Sequence, residues 1–410
     1  NAADYVGLGS ENITATGGSI VFGDANTIAG YTDGTVTATI TADIASNLTG
    51  LTGTGNAYTL AVSDAGTVDA ADLLALNGKT TEAVNLNAIT TAGTVLNGDY
   101  AELKALFAAA TSGDYSNLAD DLVITIDDNV SVSQANEIHA LTSAAVTATI
   151  TTNDMATLAD IEGTGNAYTV VVTDTTVAAG ALKALNDKPT VALDVDVVTT
   201  LTGTVADVTA LMEGEASLTA LSAATTFGFA TTGTKGFDGN EAIILDAAVS
   251  VANAILVAGY TTGVVTAQII EGDMVTLGNL TETGHAYSVT VTDQTVTAAA
   301  LETLNGKTTV DVNINAVNVV TGNVAELTAV YFTNAADYVG LGNEDITATD
   351  TTISVANANV LHGFTSADVT ATIDANGASG ANLTTLAGFG VKIDSTIQNL
   401  TFTITDATSD

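Results

Sequence analysis

The chain contains no cysteine, no tryptophan and a single proline among its 410 residues. The lack of cysteine excludes a disulfide framework and a thiolate metal site. Lysine and arginine together number only 7 against 46 acidic residues, which gives a formal net charge of −39. Such a charge repels nucleic acid and anionic membrane surfaces, so we expect neither as a partner. No run of about 18 apolar residues occurs, so the sequence predicts no membrane-spanning helix.

Small and β-branched residues make up most of what is present. Hydrophobic residues account for 46% of the chain but aromatic residues for only 5%, which predicts a substantial core of small side chains. The absence of cysteine is common among large secreted bacterial surface proteins, so the composition favours an extracellular location. The sequence begins Asn-Ala-Ala-Asp-Tyr without a methionine, and we expect a processed product or part of a longer protein.

Internal repetition is the strongest pattern in the sequence. The string TGTGNAY at 52–58 returns as EGTGNAY at 162–168 and as TETGHAY at 281–287. The first 16 residues, NAADYVGLGSENITAT, return as NAADYVGLGNEDITAT at 334–349, an offset of 333 positions. We therefore predict one continuous domain of long repeats, at about 1–112, 113–222, 223–333 and, in part, 334–410.

Each long repeat divides into four segments that read as a strand followed by a short helix. AYTVVVTD (167–174) is an alternating run rich in β-branched residues, and AAGALKALND (178–187) places Ala and Leu at helical spacing. Twelve such segments in 333 residues average about 28 residues each. That length is too short for an ordinary doubly wound βαβ domain and suits a stacked solenoid.

The alternation within strands predicts how the sheet is covered. In TVTATI (35–40), Val36, Ala38 and Ile40 would point inward while Thr37 and Thr39 point outward. A sheet covered by helices on one face only gives this alternation. The sequence therefore predicts an α/β fold, specifically a right-handed parallel β/α solenoid with an architecture like that of leucine-rich repeats.

The recurring TGTGNAY string predicts a turn from a helix into a strand. Gly55, Gly165 and Gly284 would adopt the backbone conformation that only glycine adopts at low cost, with the following Asn or His completing the turn. The tyrosine would be the first inward residue of the next strand. The motif then marks one segment in four and is not a ligand site.

Acidic residues close many of the predicted strands and are the candidate metal ligands. Carboxylates at a recurring corner could supply oxygen ligands for Ca²⁺, the only cofactor that the sequence suggests. The alternative is that each Asp bonds the backbone of its own turn as an Asx-turn. Asp43, Asp154 and Asp273 stand where helix N-caps are expected. The candidate calcium ligands are Asp64, Asp127, Asp128, Asp174, Asp246 and Asp293, with Asp406 in the same class.

No pattern of catalytic residues emerges, and we expect no enzyme. His139, His285 and His362 have no second His at metal-ligand spacing. An irregular insertion at 213–241, with Phe227, Phe229 and Phe237, is more typical of a packing loop or a lateral contact than of an active site. The lysines that share one register, Lys79, Lys188 and Lys307, are expected in solvated turns or local ion pairs.

The repeat phrases from VTVTD (289–293) to AELTAV (325–330) resemble repeats of giant secreted proteins of cyanobacteria and other aquatic bacteria. These proteins are often described as calcium-binding hemolysin-like and include surface-layer proteins. The resemblance implies type I secretion, calcium-rich surroundings and a structural or adhesive role at the cell surface. The glycine-rich nonapeptide calcium repeat of that family is absent, which leaves direct calcium binding open.

Two main classes of function and two minor alternatives are compatible with the sequence. The first is a structural repeat of a surface layer, sheath or filament that associates with itself through the ends or sides of the solenoid. The second is an adhesin stalk that spaces a binding domain elsewhere in a larger protein, with cell-surface polysaccharide as a partner. Minor alternatives are an ice-binding solenoid, suggested by outward threonines, and a solenoid acting on polysaccharide.

Overall fold

The computed structural model describes residues 9–90, 94–216, 237 and 239–374. Over this part the protein is a mixed α/β structure in which helices alternate with short strands. Most of the expected insertion, including Phe227 and Phe229, lies outside the described residues, as does Asp406. Phe237 is described and is buried, with 3% of its surface exposed. No described helix has both the length and the apolar character needed to cross a bilayer.

The described chain forms two compact units. Unit 1 contains residues 9–174 and 181–197, and unit 2 contains residues 175–180, 198–216 and 239–374, apart from the gaps given above. Three sheets lie in unit 1 and four in unit 2.

The α-helices recur in a fixed order of lengths. Helices of 8, 4, 8 and 13 residues are followed by 8, 4, 8 and 12, then by 8, 4, 8 and 5, and then by 8 again. This order is in step with the sequence repeat. The helices are α1 (Phe22–Ala29), α2 (Ala45–Leu48), α3 (Ala70–Asn77), α4 (Tyr100–Ser112), α5 (Val132–His139), α6 (Met155–Leu158), α7 (Ala179–Asn186), α8 (Val205–Ala216), α9 (Val251–Ala258), α10 (Met274–Leu277), α11 (Ala298–Asn305), α12 (Val324–Thr328) and α13 (Val355–His362).

The strands are short and lie between these helices. They are β1 (Ile13–Thr14), β2 (Val36–Thr39), β3 (Ala57–Thr59), β4 (Thr67–Asp69), β5 (Val84–Asn85), β6 (Val95–Gly98), β7 (Tyr115–Ser116), β8 (Val123–Val130), β9 (Val146–Ile150), β10 (Ala167–Thr169), β11 (Thr176–Ala178), β12 (Thr200–Gly203), β13 (Ala242–Leu245), β14 (Val265–Gln268), β15 (Ala286–Ser288), β16 (Thr295–Thr297), β17 (Val312–Asn313), β18 (Val319–Gly322), β19 (Tyr338–Val339), β20 (Asp345–Ala348), β21 (Ile353–Ser354), β22 (Val369–Thr370) and β23 (Ile373–Asp374).

Every pair of neighbouring strands in these sheets is parallel. Unit 1 holds sheets of strand order β1-β2-β3, β4-β6-β8-β9-β10 and β5-β7. Unit 2 holds sheets of order β11-β12-β13-β14-β15, β16-β18-β20-β22, β17-β19 and β21-β23. The strands of each βα segment, meaning a strand and the helix after it, thus pair with those of segments nearby in the sequence.

The spacing between paired strands is not the uniform 28 residues expected from the sequence. Val68 pairs with Leu96, 28 positions later, but Tyr58 pairs with Ala38 and Tyr168 with Ala148, each 20 positions earlier. The 20-residue spacings enclose the four-residue helices, whereas the 28-residue spacing encloses α3 and a further 3₁₀ turn at Asn87–Thr90. An eight-residue helix also fits within the 22-residue spacing from Ile124 to Val146, so helix length alone does not set the spacing. An average over twelve segments conceals this variation.

The predicted alternation of buried and exposed residues is confirmed. Val36, Ala38 and Ile40 are at most 3% exposed, while Thr37 and Thr39 are exposed. Leucines from the helices complete the core, among them Leu73 of α3, which is fully buried. Each fully buried Leu or Val contributes about 1.5–3 kcal/mol relative to an exposed one. One face of each strand is therefore committed to packing, and the other is open to solvent.

Candidate functional site

The candidate calcium ligands Asp64, Asp174 and Asp293 occupy equivalent positions and act on helices. Each carboxylate accepts a hydrogen bond from the first backbone amide of a four-residue helix, at 2.6–2.7 Å. The donors are Ala45 of α2, Met155 of α6 and Met274 of α10, each 19 positions earlier. The carboxylates therefore bond to the preceding βα segment, and not to their own turn as the Asx-turn interpretation required.

A second carboxylate caps two of the same helices from within the segment. Asp154 accepts from the amide of Thr157, and Asp273 accepts from the amide of Thr276, as predicted from the sequence. These backbone hydrogen bonds hold the pKa of Asp154 and of Asp273 below the usual range of an aspartate. Each of the two helices thus has two of its free N-terminal amides satisfied by carboxylates.

The predicted N-cap at Asp43 is wrong. The residue before α2 is Ile44, whose side chain makes no capping hydrogen bond. Asp43 lies one position too early, and its carboxylate accepts hydrogen bonds from the backbone amide of Ile44 and the side-chain amide of Asn47. The cap of α2 therefore comes only from the following segment, through Asp64.

The remaining candidate ligands are not gathered at one point either. Asp128 accepts from the amide of Tyr100, the first residue of α4, while Asp127 accepts from the side chain of Asn97. Asp246 contributes a backbone hydrogen bond, from its amide to the carbonyl of Gly203. Among the described residues, no group of three or more His, Asp or Glu side chains is placed to hold a metal ion together.

Three residues that the sequence did not single out perform the same capping. Thr152, Glu271 and Asp350 accept from the first amides of α5, α9 and α12, which lie 20, 20 and 26 positions earlier. Because Thr, Glu and Asp can all act as the acceptor, no single residue type identifies this capping position in the sequence. Knowledge of which strands pair would have been needed to find it. We call these acceptors, together with Asp64, Asp128, Asp174 and Asp293, the capping seam.

The TGTGNAY motif contributes a second set of hydrogen bonds between segments. The side chains of Asn56, Asn166 and His285 are at most 5% exposed. They accept from the amides of Val36, Val146 and Val265 at 2.9, 2.9 and 3.1 Å, in each case 20 positions earlier. The motif's Asn or His thus binds the previous strand rather than completing the turn.

The glycines and tyrosines of the motif are placed as predicted. Gly55, Gly165 and Gly284 have φ values of +78°, +86° and +85°, which favour glycine.

The motif's tyrosines, Tyr58, Tyr168 and Tyr287, are at most 1% exposed. Their hydroxyl groups are buried and have no hydrogen-bond partner in the described part of the chain. Burial raises the pKa of Tyr168 to about 12, and that of Tyr287 to about 12 with a smaller contribution from Glu282.

Two of the three lysines that occupy equivalent positions in the repeat, Lys188 and Lys307, donate hydrogen bonds to backbone carbonyls. Lys188 donates to the carbonyls of Ala159 and Ile161 at 2.8 and 2.6 Å, just after α6. Lys307 donates to the carbonyl of Thr281 at 3.2 Å, in the corresponding place after α10. Positive charge near the C-terminus of a helix is favourable to its dipole. The side chains of neighbouring segments therefore act at both ends of these helices.

A groove of about 790 Å³ lies beside α5 and α6 in unit 1. Several of its polar groups are bound to the chain. Asn136 bonds the carbonyl of Asp160 and the amide of Glu162, while Lys188 bonds the two carbonyls given above. At its rim, Lys104 donates to Glu137 at 2.7 Å. Asn136 and Lys188 are thus engaged in contacts between segments.

His139 packs against the second copy of the motif. A Cβ added at Gly163 would lie 2.1 Å from Nε2 of His139, and the ring nitrogen Nδ1 lies 3.4 Å from Asn166. His362 is the last residue of α13.

The sequence matches no protein-family model, and it matches neither a curated protein nor a solved structure. The residues predicted as a metal site therefore have to be interpreted from their geometry. In this geometry the acceptors of the capping seam bond to the backbone amides of separate helices. Its carboxylates accept hydrogen bonds from backbone amides and offset the positive ends of helix dipoles. These interactions hold successive segments together.

Proposed function

We propose that the protein is a parallel β/α solenoid that serves as a structural repeat of an extracellular assembly, such as a surface layer, sheath or filament. The proposal rests on one observation above all. Within the described residues, a sequence that is packed between two strands recurs where its strand, β1, is paired on one side only.

The two copies fold alike over their described residues. Glu11 accepts from the amides of Gly9 and Ser10, at 2.7 and 3.2 Å. Glu344, 333 positions later, accepts from the amides of Gly342 and Asn343, at 2.8 and 3.2 Å. Similarly, Ile13 pairs with Val36 just as Ile346 pairs with Val369.

The surroundings of the two copies differ on one side. β20 lies between β18 and β22, and Ile346 and Glu344 are at most 1% exposed. Among the described residues β1 is paired on one side only, with β2, and Glu11 is exposed. An open strand edge in parallel register is a template for another strand. In the second copy, β18 pairs with β20 on the side that corresponds to the unpaired side of β1. A segment like the one that contains β18 would therefore fit against β1.

Self-association is therefore proposed to use this edge, either between chains or with a neighbouring repeat of a longer chain. The many bonds from one segment to the next favour a load-bearing role over catalysis. The resemblance to giant secreted surface proteins supports an extracellular location and type I secretion. The adhesin stalk remains the alternative, since the same solenoid would space a binding domain.

A single substitution tests the use of the edge. The amides of Ile13 and Ala15 donate to Thr35 and Thr37 of the neighbouring strand. The amide of Thr14 therefore points to the open side, because successive amides of a strand alternate. Thr14→Pro should abolish assembly seen by electron microscopy in millimolar Ca²⁺, and Thr14→Val, which keeps the amide, should not. Dispersed monomers of the unaltered protein under these conditions would contradict the proposal.

A second candidate, ice binding, is favoured by one observation. Across four successive strands of unit 2, Thr297, Thr321, Thr347 and Thr370 are paired in register. These threonines form a row with a spacing of about 4.8 Å. The row could not be recognised from the sequence, because only some of its threonines belong to a TAT string. Thermal hysteresis that is lost on Thr347→Lys would support this function, and its absence in the unaltered protein would eliminate it.

A further inference from the structure

His285 is the one titratable residue among three equivalent hydrogen-bond acceptors. Asn56 and Asn166 use a side-chain oxygen to accept from Val36 and Val146. His285 uses Nδ1 to accept from Val265, at 3.1 Å. An amide oxygen remains an acceptor at every pH. An imidazole nitrogen remains one only while it carries no proton.

The buried position makes this difference consequential. His285 is 5% exposed and Val265 is fully buried. Since Nδ1 accepts, the neutral ring carries its proton on Nε2. A second proton on Nδ1 would place two N–H donors face to face, away from solvent. The hydrogen bond would be lost, and the amide of Val265 would be left without its partner.

The groups around His285 are mainly neutral. β14, which carries the donor, contains no ionisable side chain, and the ring of Tyr287 lies 5.2 Å from the imidazole ring. The charged neighbours are Glu282, in the same turn, and Lys307, which donates to the carbonyl of Thr281 from the following segment. Glu282 favours the imidazolium but is exposed, and Lys307 is itself a cation, so neither supplies a buried counter-ion.

We propose that His285 makes the contact between β14 and the segment beginning at β15 an acid-sensitive joint. Protonation of the ring opens this joint, while the corresponding joints at Asn56 and Asn166 stay closed. The device is independent of the proposed function, because it concerns the chain's own stability and not its association.

The direction of the pH effect follows from burial. Desolvation lowers the pKa of His285 below its usual range, and Glu282 only partly offsets this. The open state therefore binds a proton more readily than the closed state. The joint is stable above the ordinary titration range of histidine, near pH 6.5, and weakens as pH falls through that range.

Hydrogen exchange measured by mass spectrometry at pH 8 to 4.5 tests the proposal. After correction for intrinsic exchange rates, protection of the peptide containing Val265 should fall by up to about tenfold per pH unit below pH 6.5. Protection of the peptides containing Val146 and Val36 should not fall in this range. These two peptides are internal controls in the same molecule.

Two matched variants complete the test. His285→Asn copies the residue found at the two other joints and should remove the pH dependence at Val265. Asn166→His should create it at Val146. The proposal is overturned if the three peptides respond alike in the unaltered protein, or if His285→Asn retains the loss of protection at low pH.

Discussion

At the level of single residues, the unpartnered hydroxyl groups of the motif's buried tyrosines are the least expected feature. Tyr58, Tyr168 and Tyr287 bring three hydroxyl groups into the core without a hydrogen-bond partner among the described residues. Elsewhere in the same protein, the buried hydroxyl of Tyr115 donates to the carbonyl of Leu73, at 2.8 Å. The ring therefore serves packing in the motif, and the hydroxyl adds a desolvation cost there.

Replacing one of these tyrosines tests that interpretation. Tyr168→Phe removes an unpaired buried hydroxyl, so the free energy of unfolding should stay constant or rise by about 1 kcal/mol. Tyr115→Phe removes a paired hydroxyl and should lower it by about 1 kcal/mol. Both are measured by denaturant unfolding. A loss at Tyr168 as large as that at Tyr115 would show that its hydroxyl is hydrogen-bonded.

Asp174 is the residue of the capping seam that is best suited to mutation. Asp174→Ala removes the acceptor for the amide of Met155 and should lower the free energy of unfolding by about 1 kcal/mol, the usual value of a helix cap. Asp174→Asn retains an acceptor oxygen and should lose less. Equal losses in equilibrium unfolding would mean that the charge, and not the hydrogen bond, is what stabilises the helix.

At the level of elements, the four-residue helices are too short to be stable by themselves. Nucleation of a helix is costly, and isolated helices below about 12 residues are marginal in water. α6 contains only 4 residues, yet carboxylates from two segments satisfy its amides. Leu158 anchors it in the core and is fully buried. Such a helix is formed by its neighbours as much as by its own sequence.

Removing both caps of α6 should therefore open it locally. The double variant Asp154→Ala, Asp174→Ala loses two caps of about 1 kcal/mol each. Hydrogen exchange of the Leu158 and Ala159 amides should therefore become roughly 25-fold faster. These two amides donate hydrogen bonds to the backbone carbonyls of Asp154 and Met155, which the substitutions leave in place. Hydrogen exchange of α10, which keeps both its caps, provides the reference. Unchanged protection of α6 would contradict the role of the caps.

At the level of the whole molecule, the net charge of −39 dominates the response to salt. Self-repulsion of the acidic chain is screened by any electrolyte. The described candidate ligands do not converge on one point. We therefore expect Ca²⁺ and Mg²⁺ at equal millimolar concentrations to raise the melting temperature equally, and EDTA to reverse both effects. A distinctly larger increase with Ca²⁺ would support the original calcium hypothesis.

Much of the local structure could be predicted from the sequence because it depends on nearby residues. The inward positions of Val36 and Ala38, the caps at Asp154 and Asp273, and the left-handed glycines of the motif all follow from short-range patterns. The parallel pairing also follows, since strand–helix alternation leaves few other topologies.

The bonds between segments could not be predicted in the same way. They depend on register, which varies because the segments between paired strands differ in length. A sequence period of about 28 could not assign Asp174 to an amide 19 positions earlier, or Asp350 to one 26 positions earlier. Asp43 lies one residue before the N-cap position of α2, and this difference of a single residue made the predicted cap wrong.

The direction of the capping seam has a consequence for how the chain acquires its structure during synthesis. In each described case the helix comes first along the chain and its acceptor comes later, as with Met155 and Asp174. A ribosome therefore delivers every such helix before the side chain that completes it. Folding that begins at the N-terminus lags the emerging chain by one segment, and the newest segment is always the least stable one.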